Sequence, residues 1–369
     1  VLVKEWHRES MMPCQILPPY LLEKIAACER PEMAHAATAA RRSLVHDAPL
    51  RRLGDRSLAT DQPSPVPRIA DPAMPVESGP APTVDRTVSD AEGSENLPGK
   101  IVRTEGGPVT ADSAVTEAYD GLGDTWRLYW EAYGRNSVDG RGLPLDATVH
   151  YGQDYDNAFW NGRRMVFGDG DGQLFNRFTI SPSVVGHELT HGVTQYTANL
   201  VYQGQSGALN ESVSDVFGAL VEQFARGQRA NEASWLIGEG LFTAQVHGVA
   251  LRSMKAPGTA YDDPVLGKDP QPADMAGFVT TDSDAGGVHL NSGIPNHAFY
   301  LAASTLGGYA WEAAGQIWYD TLTGGLAATS DFAAFAQATA RAAEARFGGS
   351  SAEHAAVLGA WKTVGVLPG

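Results

Sequence analysis

His187, Glu188 and His191 stand in the run Val184-Val185-Gly186-His187-Glu188-Leu189-Thr190-His191, and Asn210-Glu211-Ser212-Val213-Ser214-Asp215 begins nineteen residues after His191. On a helix, positions four apart lie one above the other, so His187 and His191 can offer two imidazole nitrogens to one metal ion, with Glu188 beside them. A carboxylate from Glu211 completes a three-ligand set with one position left open to water, the arrangement used by catalytic zinc. Asp215, one helical turn further on, can accept the outer ring N–H of a ligand histidine. Such a site lowers the pKa of water towards ~7, and Glu188 is placed to take the water proton and pass it to a leaving nitrogen. The chemistry that follows is metal-assisted hydrolysis.

A His-Glu-x-x-His pentapeptide by itself is usually only a polar helix face, so the elements around it carry weight. Ser181-Pro182 reads as a helix cap and first-turn proline, and Val184, Val185, Leu189 and Val193 give the helix apolar surface to bury. A second helix is expected from Glu211 to Arg226, with Glu211 in its first turn and Val213, Val216, Phe217, Leu220, Val221 and Phe224 apolar.

The chain has 369 residues, 43% hydrophobic and 19% charged, enough for two domains and an appendage. A formal charge of −16 argues against a nucleic-acid partner, and no membrane reading is needed. Residues 1–56 hold nine Lys/Arg against seven Asp/Glu, leaving eighteen against thirty-six for the rest, so a mildly basic piece faces an acidic body. Both cysteines, Cys14 and Cys28, lie in that piece. Residues 1–25 contain no continuous apolar stretch of the secretory kind, which points to the cytoplasm or to export by another route.

In chain order, a helix is expected from Pro18 to about Arg42, broken near Pro31. Seven prolines in residues 62–82 mark a flexible, cleavable tether, with folded sequence resuming at Leu97. Residues 147–151 and 164–167 are β-prone, and Gly168-Asp169-Gly170-Asp171-Gly172 reads as a turn rather than a calcium loop. Asn157-Ala158-Phe159-Trp160-Asn161-Gly162 reads as an aromatic-rich edge strand. The last seventy or so residues have helical periodicity, with Phe332, Phe335, Ala336, Ala340, Ala343 and Phe347. The fold class is α+β: a β-rich half, a mainly helical half, and the His-Glu helix at their junction, where clefts commonly form.

The run His187 to Gly218, HELTHGVTQYTANLVYQGQSGALNESVSDVFG, resembles the core of the thermolysin family of metalloendopeptidases, and the likeness extends from about Leu97 to the C-terminus. Ile16-Leu17-Pro18-Pro19-Tyr20-Leu21-Leu22 resembles the Pro-Pro-aromatic motif in the short precursor segment of the family's protealysin branch. The resemblance implies a two-domain fold with a propeptide (1–56), a linker (57–97), a β-rich unit carrying the zinc helix (98–195) and a helical unit (196–369). It implies a bacterial zinc endopeptidase, monomeric, acting on polypeptides and docked by its own propeptide. Within it, Tyr202 and His289 donate to the tetrahedral oxyanion, Asp284 holds His289, and Arg252 binds a substrate carbonyl. Asn157 and Ala158 pair with the substrate backbone, while Phe175, Phe178, Val184 and Leu251 approach the pocket beyond the scissile bond and favour a bulky apolar residue there. Glu222 and Glu239 match calcium ligands, but Ser183 stands where members with two calcium ions have an acid, so one calcium at most is expected. A binder that has lost catalysis and an aminopeptidase are the alternatives, the first disfavoured by Glu188, Tyr202 and His289 together and the second by the lack of an amine-binding signature.

Cys14, four residues before Pro18, could place a thiolate on the zinc and displace the catalytic water. A small buried cysteine, or a bridge to Cys28, is the alternative.

Overall fold

The computed structural model describes residues 14–58 and 82–369, with side chains in the first stretch as far as residue 49. A six-stranded mixed sheet is built from β1 (Cys14–Gln15), β2 (Arg86–Asp90), β3 (Lys100–Thr104), β4 (Leu145–Val149), β5 (Ala158–Trp160) and β6 (Arg164–Phe167), in the order β1-β5-β6-β4-β2-β3. β2, β4 and β6 run parallel to one another; β3, β5 and β1 are added antiparallel. Val88, Ala147, Met165 and Trp160, on four neighbouring strands, are all buried, as expected of a sheet packed against helices.

The strand β2 corrects the expected linker. It lies inside the interval 57–97, yet it is a central strand paired with β4 from Arg86↔Leu145 to Asp90↔Val149, so the chain rejoins the fold about a dozen residues before Leu97. Its parallel partner β4 lies some sixty residues away, which local composition does not reveal. At the other boundary the N-terminal segment forms α1 (Pro19–Ala26) and α2 (Ala34–Leu58), separated by a short turn at Pro31–Met33; α2 passes both Arg42 and the expected boundary at Arg56. Most of the Pro-rich stretch, residues 59–81, lies outside the described residues.

α3 (Ser113–Tyr133) starts at Asp112, whose carboxylate accepts from the Ala114 and Val115 amides, and stops at Gly134 in the left-handed region. It packs on the sheet and on the buried pair α4 (Pro182–Gln195) and α5 (Gly204–Arg226). α4 begins where Ser181-Pro182 predicts, although the Ser181 hydroxyl meets Ser183 Oγ instead of capping an amide. α5 begins seven residues before Glu211, which therefore sits in the third turn and not the first. The sequence hides this start because Gln203 supplies no side-chain cap and Ser206 to Gln223 are all buried, leaving no polar face to mark a period.

Two glycines set how closely these helices approach. A Cβ on Gly218 would lie 2.4 Å from the Ser183 carbonyl oxygen, and one on Gly186 would lie 2.9 Å from Val221. Glycine at both crossing points lets the His187–His191 face reach Glu211. The remaining helices, α6 (Asp284–Asn291), α7 (Gly293–Leu306), α8 (Ala313–Thr323), α9 (Phe332–Phe347) and α10 (Ala352–Thr363), form the helical half around Phe299, Trp318, Phe335 and Trp361. Among the described residues no helix is long and apolar enough to cross a membrane.

Candidate active site

His187, His191 and Glu211, the residues expected to hold a metal, converge at the α4–α5 crossing. His187 directs Nδ1 to Asp215 Oδ1 at 2.8 Å, and His191 directs Nδ1 to Asn210 Oδ1 at 2.8 Å and Ser214 Oγ at 3.0 Å. A ring that donates from Nδ1 to these acceptors keeps Nε2 as a lone pair. The two Nε2 atoms nevertheless face each other at 3.0 Å, with Glu211 oxygens 3.5 and 3.6 Å away. Glu211 Oε2 is buried without a hydrogen-bond donor among the described residues. Lone pairs from two imidazoles and a carboxylate converging in a dry site repel one another unless a cation lies among them, so these residues fit zinc. Burial pushes the His191 ring down to about 4, keeping it neutral as a ligand must be. Burial also opposes the charge on Glu211, but the positive groups around it, His289 first and Arg252 among them, outweigh it and hold the carboxylate below its usual range.

Around this set, Glu188 accepts from the Trp160 amide through Oε2 at 3.0 Å, while Oε1 has no hydrogen-bond partner among the described residues. Burial, then the neighbouring Glu211, raises its pKa well above the usual carboxylate range, as suits a group that must carry a proton. Tyr202 donates to Glu211 Oε1 and lies 3.2 Å from His289 Nε2. The segment carrying His289 bends through four left-handed residues, Asp284 (φ 53), Ala285 (φ 49), Gly286 (φ 83) and Gly287 (φ 77). The Asp284 carboxylate offsets that strain by accepting both the His289 amide at 3.0 Å and its Nδ1–H at 2.6 Å. Against the cost of burial, Asp284 and Glu211 push His289 up to about 9, so its ring presents Nε2–H to the cleft.

The residues expected to face a substrate are occupied by the chain's own N-terminal segment. β1 pairs antiparallel with β5, and the Ile16 amide donates to Ala158 O at 3.2 Å. Asn157 brackets the next residue, accepting from the Leu17 amide at 3.0 Å and approaching its carbonyl at 3.5 Å. Arg252 Nη1 donates to Ile16 O at 3.2 Å, while Nε and Nη2 grip Asp215 at 2.8 Å each. His289 Nε2 lies 3.1 Å from Gln15 O. Further along, Asp47 of α2 accepts from Tyr155 and Asn157, and Ser43 accepts from the Asp156 amide. Phe175, Phe178, Val184 and Leu251 are buried in the apolar cluster that also holds Ile16 and Leu17.

Neither cysteine forms a disulfide, so a Cys14–Cys28 bridge is not part of this structure. The Cys14 sulfur and ligand atoms of His191 and Glu211 all lie within 4.8 Å of one another. Burial first, then Glu211 and Glu188, raises the thiol pKa despite a hydrogen bond from Tyr202, and a cation at this point would favour a thiolate.

The calcium pair has another occupant. Arg226 places Nη1 2.7 Å from Glu222 and 3.7 Å from Glu239, supplying the positive charge that an ion would bring. Ser183 turns its hydroxyl to the Gly238 amide at 3.1 Å. The Asp169–Asp171 stretch is a turn: Asp171 Oδ1 accepts the amides of Gln173, Leu174 and Phe175, and Asp169 pairs with His150.

Sequence reasoning missed Asn210, Ser214 and Asn296. The first two were within reach, since Asn210 and Ser214 are four apart on α5 just as Glu211 and Asp215 are, and so must share a face. Asn296, which donates to Asp215 Oδ2 at 2.8 Å, comes from a distant helix with no local signal.

Comparisons with known proteins agree with this geometry. The description "Thermolysin metallopeptidase, catalytic domain" matches residues 72–195, and "Thermolysin metallopeptidase, alpha-helical domain" matches residues 198–366. The chain is 51% identical over 354 residues to an extracellular metalloprotease of Pectobacterium carotovorum subsp. carotovorum, covering 96% of each chain. It is 42% identical over 262 residues to a thermolysin of Alicyclobacillus acidocaldarius subsp. acidocaldarius, covering 69% of this chain and 46% of that one. Among solved structures it is similar to the precursor of protealysin from Serratia proteamaculans, with a TM-score of 0.84, 51% identity, and coverage of 96% and 100% of the two chains.

Proposed function

Because this chain belongs to the thermolysin family of metallopeptidases, whose members use catalytic zinc, we propose that it is a zinc endopeptidase held latent by its own N-terminal segment. The observation that carries the reading is the convergence of two Nε2 lone pairs and an orphaned Glu211 oxygen beside the partner-less Glu188 Oε1. Zinc held by His187, His191 and Glu211 supplies Lewis acidity and acidifies water near neutral pH. Glu188 takes the water proton and delivers it to the departing nitrogen. Tyr202 and His289 donate to the oxygen that gains charge, and Asp284 keeps His289 in donor form; each such donor is typically worth about 2.7–4 kcal/mol in the transition state. Arg252, Asn157 and Ala158 hold the peptide in extended form, as an added strand. Phe175, Phe178, Val184 and Leu251 form the pocket beyond the cut bond, which selects a bulky apolar residue.

Residues 1–58 act as a propeptide, removed by the enzyme itself or a sister molecule through the following tether. Until then Cys14, whose sulfur lies within 4.8 Å of ligand atoms of His191 and Glu211, would cap the metal as a thiolate. The extracellular name of one relative supports the exported alternative for where the protein works. The engagement of Glu222 and Glu239 by Arg226 supports a chain without calcium at that pair.

Casein digested by the matured protein, with fragments sequenced by mass spectrometry, tests the reading. Internal cuts before Leu, Ile, Phe or Val, abolished by a zinc chelator, are expected; release of terminal residues alone would contradict it, and cuts mainly before charged residues would sink the pocket assignment.

A further inference from the structure

We propose that Gln15–Ile16 is a cleavage site in this chain: the peptide bond that the N-terminal segment presents to the catalytic groups in productive register, with Cys14 as the residue that protects it. The proposal rests on the endopeptidase reading above and concerns how the same site is regulated.

A segment can block a cleft in any direction; this one lies in it as a substrate must. Its strand is antiparallel to β5, with Cys14 opposite Trp160 and Gln15 opposite Phe159. The carbonyl to be attacked is that of Gln15, because its oxygen is the one at His289 Nε2, 3.1 Å away, with the Tyr202 hydroxyl beside that same nitrogen at 3.2 Å. The nitrogen to be released is that of Ile16, fixed by its bond to Ala158 O. The next carbonyl, Ile16 O, is held by Arg252, and the next amide, that of Leu17, by Asn157. Four consecutive backbone groups are therefore placed around one bond, and the side chain just after it, Ile16, is fully buried and apolar. Positioning of this kind is most of what catalysis requires of a substrate.

What distinguishes this segment from a substrate is Cys14, one residue ahead of Gln15. The Cys14 sulfur sits within 4.8 Å of ligand atoms of His191 and Glu211, close enough to compete with water for a metal held there. With that sulfur removed, water adds through its oxygen to the Gln15 carbonyl carbon, and both of its protons reach the Ile16 nitrogen in turn by way of Glu188. The C–N bond then breaks, leaving a Gln15 carboxylate and an Ile16 ammonium. A serine at residue 14 is a weaker metal ligand and a smaller obstacle, so Cys14→Ser converts the inhibitor into a substrate held in place.

The test uses the full chain loaded with zinc, as wild type, Cys14→Ser and Cys14→Ser/Glu188→Gln, with N-termini identified by mass spectrometry over time and over a dilution series. The expected result is a chain beginning at Ile16 that appears at least about tenfold faster in Cys14→Ser than in wild type, at a rate independent of dilution, and not at all with Glu188→Gln. If Cys14→Ser cuts casein yet yields no Ile16 terminus, the proposal falls and the endopeptidase reading stands; if it cuts neither, both fall. A second readout needs no turnover. In Glu188→Gln protein, Ile16→Asp should break the register and raise alkylation of Cys14 at least about tenfold with Cys28 labelling unchanged; unaltered Cys14 labelling would show that Ile16 does not set the register and would overturn the proposal.

Discussion

Asp215 is fully buried and receives four donors: His187 Nδ1 and Arg252 Nη2 on Oδ1, and Arg252 Nε and Asn296 Nδ2 on Oδ2, all at 2.8 Å. Burial opposes its charge, but Arg252 and His187 overcome that and hold the carboxyl far below its usual range. Asp215→Asn keeps the volume, so no cavity enters the cost. It removes the negative charge beside a buried guanidinium and turns one acceptor into an NH2 that faces two other donors. At about 1–3 kcal/mol for each unsatisfied buried group the loss is about 2–6 kcal/mol, in line with the ~3–5 kcal/mol for breaking a buried ion pair. His187 also loses its orienting partner, which typically costs 10–100-fold in metal affinity. The measurements are urea unfolding in the Glu188→Gln background, to prevent self-cleavage, and zinc retention against a competing chelator. Arg252→Met and the double variant complete a cycle: the double should be less damaging than the sum by at least about 2 kcal/mol, because it no longer buries an unpaired charge. An Asp215→Asn protein within about 0.5 kcal/mol of its parent with unchanged zinc retention, or a strictly additive cycle, would refute the reasoning.

Three further outcomes are expected. His289→Ala should lower kcat by about 10²–10³ with a smaller change in KM, since the bond strengthens as charge develops; a pure KM effect would make His289 a binding residue. Millimolar calcium should not raise the thermal midpoint, because Arg226 already neutralises Glu222 and Glu239; a rise of several degrees would place an ion there. His150 is pushed up to about 9 by Asp169 and then Asp112, against burial. Its charge pairs therefore stabilise the fold fully below about pH 6.5 and lose that contribution as pH rises through about 9. With both aspartates more than a third exposed, the effect is discounted to about 1 kcal/mol, so His150→Gln should lose about that much at pH 6 and little at pH 10.

The parts of the site legible in the sequence were those written in helical spacing. His187, His191, Glu211 and Asp215 repeat at four, and burial of α4 and α5 brings them together through Gly186 and Gly218. What spacing leaves out is anything that depends on a distant partner. The central strand β2 follows a proline run and earns its place by pairing with β4 on one side and β3 on the other. Arg226 stands one turn from Glu222, yet the match of acids to calcium ligands draws the eye to charge of one sign and away from the guanidinium between them. Cys14 lies some two hundred residues before Glu211, and only the pairing of β1 with β5 brings its sulfur to the metal residues.

The central claim is that His187, His191 and Glu211 hold zinc while Glu188 moves the proton. Its most direct test is Glu188→Ala, measured for bound zinc by atomic absorption and for proteolysis on a peptide substrate, with the propeptide removed in trans. The account requires one equivalent of zinc, since no ligand is lost, together with a loss of several orders of magnitude in turnover. One equivalent of zinc with near-normal turnover would contradict it.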